Sequence, residues 1–262
     1  MSNNNEVIWE IRAEKVLHAL KEGKRIDGRK MGEYRSVKIQ KNISHNADGS
    51  ARVKLGETDV IAGIKLSPGE PFPDLPDKGT ISVGVELLPL ASPDFESGPP
   101  RSNSIELARV VDRGIRESGA IDFTKLCIRE GELCWIAFID LYALNFDGNL
   151  FDAFSIAALA ALLETRIPKL EEDKIVKEEY AGKLKLANKP LLSTFVKIKN
   201  SVLLDPNLFE EKALDARISL ATIEDNSLCA FQKGGSGSFE LKEIEQAIDI
   251  ALKKSKEIRK LL

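Results

Sequence analysis

Apolar and polar residues along the chain fall into two kinds of pattern, and their changeovers mark the elements. Val7, Ile11, Val16, Leu17 and Leu20 recur at roughly helical spacing, and Gly23 follows as a helix-ending residue. The pattern then changes to short runs with alternation: Val37 to Ile39, Ala51 to Leu55, Asp59 to Ser67 and Thr80 to Leu90. Gly56-Glu57-Thr58 joins two of them, so this third of the chain predicts antiparallel strands. Pro68, Pro71, Pro73 and Pro76 crowd the stretch between Ser67 and Gly79, which predicts a loop outside any sheet. Helical spacing returns from Ser104, a plausible N-cap, to about Glu117. Cys127-Ile128 and Leu133 to Leu144 read as strands.

A turn at Asn145 to Asn149 then leads into a helix from Asp152 to Thr165 that Pro168 stops. Its stretch from Ala153 to Leu163 is almost entirely apolar or small, so it should be buried on all sides. Glu171 to Lys183 reads as a charged connector. A second strand group follows, at Ser193 to Lys199, Val202 to Leu204, Ala216 to Glu224 and Ser227 to Gln232. Gly234 to Ser238 then opens a last helix with Leu241, Ile244, Ile248, Ala251 and Ile258 inward. Strands and helices come in groups, so the predicted class is α+β. No repeat of twenty to fifty residues is visible.

Composition narrows the classes. The chain has 262 residues, 43% hydrophobic and 30% charged, enough for a real core and too apolar for disorder. The longest nearly apolar run is too short to span a bilayer, and Met1 to Glu6 lack the cationic start of a secretory signal. A soluble protein without membrane contact is expected. The net charge of −3 means that any nucleic-acid contact must be a local patch or be completed by a partner. Cys127, Cys134 and Cys229 form no disulfide framework. Cys127 and Cys134 could face each other across a hairpin turning at Glu130-Gly131, but buried thiols in a reducing cytosol are the plainer reading. His18 and His45 give no zinc pattern, and no metal or cofactor is expected.

The signatures of small-molecule chemistry are missing: no phosphate loop, dinucleotide fingerprint, paired-histidine zinc motif or nucleophile elbow. Gly234 to Ser238 could form an anion nest, for instance for a phosphorylated substrate, but reads more simply as a flexible turn. Arg109, Arg113 and Arg116 lie at i, i+4 and i+7 and share one helix stripe, opposite Leu107, Ala108, Val110, Val111 and Ile115. A fixed guanidinium row suits a phosphate backbone. It also fits a solvated face paired with Glu106, Asp112 and Glu117. Asp205, Glu210, Glu211 and Asp215 could hold a divalent metal or supply an acid, or form an ordinary polar connection between strands. Asp152, at the start of the apolar helix, should cap that helix and repel phosphate.

Arg25-Ile26-Asp27-Gly28-Arg29, Gly56 to Ala62, and Ile139-Asp140 to Ala161 together resemble the landmarks of the RNase PH family. Gly84 to Leu90, followed by Ile105 to Arg113, looks most like one branch, the non-catalytic RNase PH-like subunit of the archaeal exosome. The resemblance implies an RNase PH-type fold (ribosomal protein S5 domain 2-like) with mixed and antiparallel sheets and packed helices. It implies one RNase PH-like domain over residues 1–262, with two lobes at about 25–170 and 190–262.

Active members of the family bind a nucleophilic phosphate with an Asp-x-Gly-Ser/Thr-Arg loop. Carried over from Asp147, this chain has Asn149 for the glycine, Leu150 for the hydroxyl residue and Phe151 for the arginine. Two catalytic aspartates six positions apart have Glu211 and Asp215, only four apart, as their nearest match. The resemblance therefore implies a cytoplasmic subunit without catalytic residues that binds RNA through Arg109, Arg113 and Arg116. It would alternate with a catalytic RNase PH-like exosome subunit in a hexameric ring, a trimer of heterodimers, contacting single-stranded RNA and RNA-binding cap subunits. The alternative is a chain that is itself an active phosphate-dependent 3′-to-5′ exoribonuclease.

Overall fold

A computed structural model describes residues 2–262, with side chains from Arg12 onward. The first helix, α1 (Ser2–Lys21), closes at Gly23, whose φ of +72° a side chain would strain. Val16 and Leu20 bury against Val196, Ile198 and Leu203. The predicted inward residues Val7 and Ile11 lie outside the described side chains.

The first sheet contains β1 (Val37–Lys41), β2 (Gly49–Leu55), β3 (Thr58–Gly69), β4 (Thr80–Leu87), β5 (Cys127–Arg129) and β6 (Leu133–Asn145). Its order is β1-β2-β3-β6-β4, with β5 also paired to β6. The β1-β2, β2-β3, β3-β6 and β5-β6 pairs are antiparallel, but β4 runs parallel to β6. The long excursion through α2 (Ser102–Glu117) and a 3₁₀ turn at Phe123–Leu126 supplies the crossover that a parallel pair needs. Pro68 belongs to β3 after all, opposite Trp135. The β2 register ends at Ile64, so beyond that point β3 is paired on one side only, and an edge tolerates a residue with no N–H.

The second sheet, in order β10-β9-β11-β12, comprises β9 (Leu191–Ile198), β10 (Ser201–Leu204), β11 (Ala216–Thr222) and β12 (Leu228–Gly235). Between the sheets lies α3 (Leu150–Glu164), buried from Leu150 to Leu162. Burial of Phe154, Ile156, Leu159 and Leu162 contributes about 1.5–3 kcal/mol each. The cluster around α3 also takes in Leu191, Leu192 and Ala221, so one core joins residues of both strand groups. On the far face of the second sheet, α5 (Leu241–Arg259) lays Ala247 and Ala251 against Phe195, Leu204, Ile218 and Leu220. A short helix, α4 (Leu208–Lys212), connects β10 to β11. The architecture is α+β, as the grouping of elements predicts.

Two other segments depart from the sequence expectation. The charged connector is a hairpin of β7 (Arg166–Glu171) and β8 (Lys174–Lys183), turned by Glu172 and Asp173, both at positive φ. Pro168 lies inside β7 at a register shift, three residues after α3 has ended at Thr165. Gly234 and Gly235 finish β12, and α5 begins only at Leu241, where Glu240 and Glu243 form a reciprocal cap.

Candidate functional site

The amphipathic α2 carries the arginine stripe. Leu107, Val110, Val111, Gly114 and Ile115 face the core, while Arg109, Arg113 and Arg116 are exposed. The helix starts two residues before the expected cap. Arg101 is the N-cap without a side-chain bond, and Ser104 Oγ donates to the Arg101 carbonyl at 2.9 Å instead of accepting an amide.

The three arginines are not equivalent. Arg116 Nε donates to Asp112 at 2.8 Å, and its Nη2 donates to the Ile81 carbonyl of β4 at 2.6 Å. Its guanidinium also lies 5.6 Å from the Phe123 ring centroid. Arg116 therefore closes the edge of the protein's own sheet. Among the described residues, Arg113 Nη1 reaches Gln232 Oε1 on β12 alone, at 3.3 Å. Glu106, which the spacing places beside Arg109 and Arg113, turns away to pair with Arg217 of β11. Among the described residues, no carboxylate neutralises Arg109 or Arg113, so the two form a local cationic patch on a chain of net negative charge.

At the start of α3, the cap is Asn149 rather than Asp152. Asn149 holds φ at 55° and accepts from the Asp152 amide at 3.4 Å. The Asp152 carboxylate turns inward to accept from the Tyr34 hydroxyl at 2.8 Å and the Thr194 amide at 3.0 Å. Burial pushes its pKa up to about 6, and Oδ1 has no partner among the described residues. The Asn149 amide, which an incoming anion would seek, donates to Glu211 Oε2 at 2.6 Å. Burial raises the Glu211 carboxyl above its ordinary pKa. Leu150 and Phe151 are both buried, and the Phe151 ring carries the Arg217 guanidinium at 4.1 Å.

The acidic cluster after β10 divides among separate partners. Glu210 grips Arg25, whose Nε donates to Oε1 at 2.8 Å and whose Nη2 donates to Oε2. Arg25 Nη1 also donates to the Leu204 carbonyl at 2.8 Å, and Nη2 to the Asp205 carbonyl at 2.9 Å. Asp205 receives Arg29 Nη1 at 2.9 Å, Arg35 Nη2 at 2.8 Å and Asn149 Nδ2 at 2.7 Å. Burial opposes its charge, yet the Arg35 guanidinium holds its pKa below the ordinary value. Asp215 sits elsewhere, on the Lys199 amide at 2.6 Å. The arginines of the Arg25-to-Arg29 landmark thus tie the two strand groups together. Arg35, which no sequence pattern singled out, completes the tie. Among the described residues, no three His, Cys, Asp or Glu side chains stand together as a metal site.

A cavity of about 250 Å³ opens beside these groups, lined by Phe95, Glu106, Phe146, Phe151, Glu211 and Arg217. Its cations already have partners, since Arg217 holds Glu106 and Lys212 reaches Asp94 at 2.8 Å. The glycine–serine segment is not an anion nest around Gly237, whose amide donates to the Asp215 carbonyl at 2.7 Å. Gly234 lies against Arg217, where a Cβ would fall 2.6 Å from Nη2.

Two family models match the chain: domain 1 of the 3′ exoribonuclease family over residues 33–168, and domain 2 over residues 189–254. The chain belongs to the 3′ exoribonuclease (RNase PH) family. It is 50% identical over 261 residues to the exosome complex component Rrp42 of Thermococcus gammatolerans, covering 98% of this chain and 96% of that one. It superposes on a chain of the Archaeoglobus fulgidus exosome with RNA bound to the active site, with a TM-score of 0.92, 44% identity and coverage of 97% and 98%. An archaeal exosome core chain gives 0.88 and 40%, covering 98% of each. The two sheets around α3 are therefore the RNase PH-type fold. The Arg25-to-Arg29 segment acts here as internal structure through Glu210 and Asp205. No helix among the described residues is long and apolar enough to cross a membrane.

Proposed function

We propose that this chain is a non-catalytic subunit of an archaeal-type exosome ring. It pairs with a catalytic RNase PH-like subunit and lends that neighbour's site a wall that grips RNA. The relatives named above are exosome components, and one of the matched structures holds RNA. The observation that carries the absence of catalysis is the amino terminus of α3. There Leu150 and Phe151 stand in place of a hydroxyl and a guanidinium, and Glu211 occupies the Asn149 amide. A phosphate arriving there would meet a buried carboxylate and two apolar side chains. Replacing a buried anion by a second anion without donors is unfavourable by several kcal/mol.

The RNA contact assigned to this chain is Arg109 with Arg113. Both are exposed, on a rigid helix, and free of carboxylate partners among the described residues. Arg116 continues the row but is committed to Asp112 and Ile81, so its part in RNA binding is the smaller one. The ring would alternate the two subunit types, carry RNA-binding cap subunits on one face, and work in the cytoplasm on single-stranded RNA.

The test compares phosphate-dependent degradation of single-stranded RNA by this chain alone, by its catalytic partner alone, and by the assembled pair. Activity that appears or rises sharply only in the assembly is expected. Turnover by this chain alone would overturn the proposal. In the intact ring, Arg109→Glu with Arg113→Glu should weaken RNA binding, and unchanged affinity at low salt would show that the stripe is only a solvated face.

A further inference from the structure

Three cysteines are left over from the reading above, and two of them are neighbours. In the short antiparallel pair of β5 and β6, Cys127 stands directly opposite Cys134. The chain reverses between them through Arg129 to Glu132, with Gly131 at a φ of +73° and the Glu132 amide on the Arg129 carbonyl at 3.1 Å. Side chains directly opposite on antiparallel strands project to the same face. Their Cα atoms are separated by about 4.5–5.5 Å, inside the ~4.4–6.8 Å range that a disulfide spans.

The surroundings distinguish the two thiols. On its other flank Cys134 faces Gly69 of β3, where the Ile136 side chain fills the space a Cβ would take. Cys134 is fully buried while Cys127 is part-exposed, so a reagent in solvent meets Cys127 first. Burial together with the neighbouring Cys127 raises the Cys134 thiol pKa, which leaves the first attack to Cys127. Cys229 is remote from both, its Sγ 3.5 Å from the Ala221 carbonyl.

We propose that Cys127 and Cys134 form a reversible intrachain disulfide that staples β5 to β6, made by exchange with a low-molecular-weight disulfide. The Cys127 thiolate attacks one sulfur of that disulfide, forming a mixed disulfide and expelling one thiolate, which takes up the proton Cys127 lost. Cys134, giving up its proton, then attacks Cys127 Sγ and expels the second thiolate, which is protonated in turn. Two protein thiols are oxidised and one small disulfide is reduced to two thiols. The bond fastens the strand that follows the 3₁₀ turn at Phe123–Leu126, where Leu126 is buried and Phe123 underlies Arg116. Oxidation would thereby rigidify the sheet end on which the carboxyl terminus of α2 rests.

The experiment uses the purified full-length chain, incubated with oxidised glutathione, then alkylated under denaturing conditions and mapped by mass spectrometry. The expected product has a Cys127–Cys134 cross-link and one alkylated thiol, Cys229, against three alkylated thiols in the reduced control. Cys134→Ser should instead trap glutathione on Cys127, and Cys127→Ser should leave Cys134 alkylated without an adduct. Three alkylated thiols in the treated wild type, or a glutathione adduct on Cys127 that Cys134 does not resolve, would overturn the proposal. The wild-type readout decides it whether or not either variant folds.

Discussion

Replacing Arg25 by alanine exposes how strongly the Arg25–Glu210 pair holds the molecule together. Both side chains are out of water, at 0% and 1% exposure. Truncation removes both bonds to Glu210 and leaves its buried carboxylate with the Asn207 amide at 3.0 Å and, more distantly, the Arg29 guanidinium at 3.9 Å. The Leu204 carbonyl also loses its guanidinium, whereas the Asp205 carbonyl keeps Arg29 Nη2 at 3.0 Å. Stranding one partner of a buried pair costs about 3–5 kcal/mol, and a newly unpaired carbonyl adds about 1 kcal/mol. Arg25→Ala should therefore destabilise by roughly 4–6 kcal/mol.

The double change Arg25→Met with Glu210→Leu removes both charges together. A buried ion pair exchanged for apolar side chains is close to neutral, so the remaining cost is the Leu204 carbonyl and the lost α4 capping box, about 2 kcal/mol in total. Urea unfolding followed by circular dichroism at pH 7 measures both, compared at a common m-value. A double variant as unstable as the single one, or a single variant within 1 kcal/mol of wild type, would refute the reasoning.

Other expectations follow from the same structure. Asp152 is raised to about 6 from 3.8, so the folded state holds its proton more tightly than the unfolded state does. Its contribution is fully present below about pH 4 and is lost as pH rises through 6, by about 3 kcal/mol. The stability of Asp152→Asn relative to wild type should thus rise across that window and level off above it, and a pH-independent difference in urea midpoints would count against this. Gly148→Ala puts a Cβ 2.5 Å from the Asn207 carbonyl carbon at a φ of +85°, and should cost about 3 kcal/mol in the same assay. Arg109→Ala and Arg113→Ala should each leave unfolding within about 0.5 kcal/mol of wild type. In the assembled ring, each should flatten the dependence of RNA affinity on the logarithm of salt by about 0.7. Arg116→Ala should do the reverse, destabilising by about 1–2 kcal/mol through the freed Ile81 carbonyl while changing the salt slope less.

What the sequence made legible was local or strongly periodic. The all-apolar run of α3 announced its central position, and the stripe of α2 could be read because one face is uniformly apolar. The β7–β8 hairpin was hidden because Lys and Glu dominate its strands, and only a few apolar residues, Ile167, Leu170 and Ile175, pack against the core. Pro68 misled because its tolerance depends on where β2 stops, a tertiary fact. The cap of α3 was misassigned because Asp152 is drawn inward by Tyr34 and Thr194, residues far away in the chain. That Leu150 and Phe151 stand where the resemblance implies a hydroxyl and a guanidinium was visible directly. That Glu211 fills the vacated amide was not, since it depends on α4 folding back onto the start of α3.

The tie between Arg25 and Glu210 spans 185 residues of sequence, and that of Arg35 with Asp205 spans 170. A chain emerging from the ribosome amino terminus first therefore displays Arg25, Arg29 and Arg35 long before Asp205 and Glu210 exist, with Asp27 as the near neighbour of Arg25 and Arg29. The first sheet can pair its own strands during that interval, and Arg35 can already meet Asp147, but the attachment of Arg25, Arg29 and Arg35 to the second strand group must wait for Asp205 and Glu210. Closure of the molecule is thus a late event in synthesis, complete only when translation has passed residue 210.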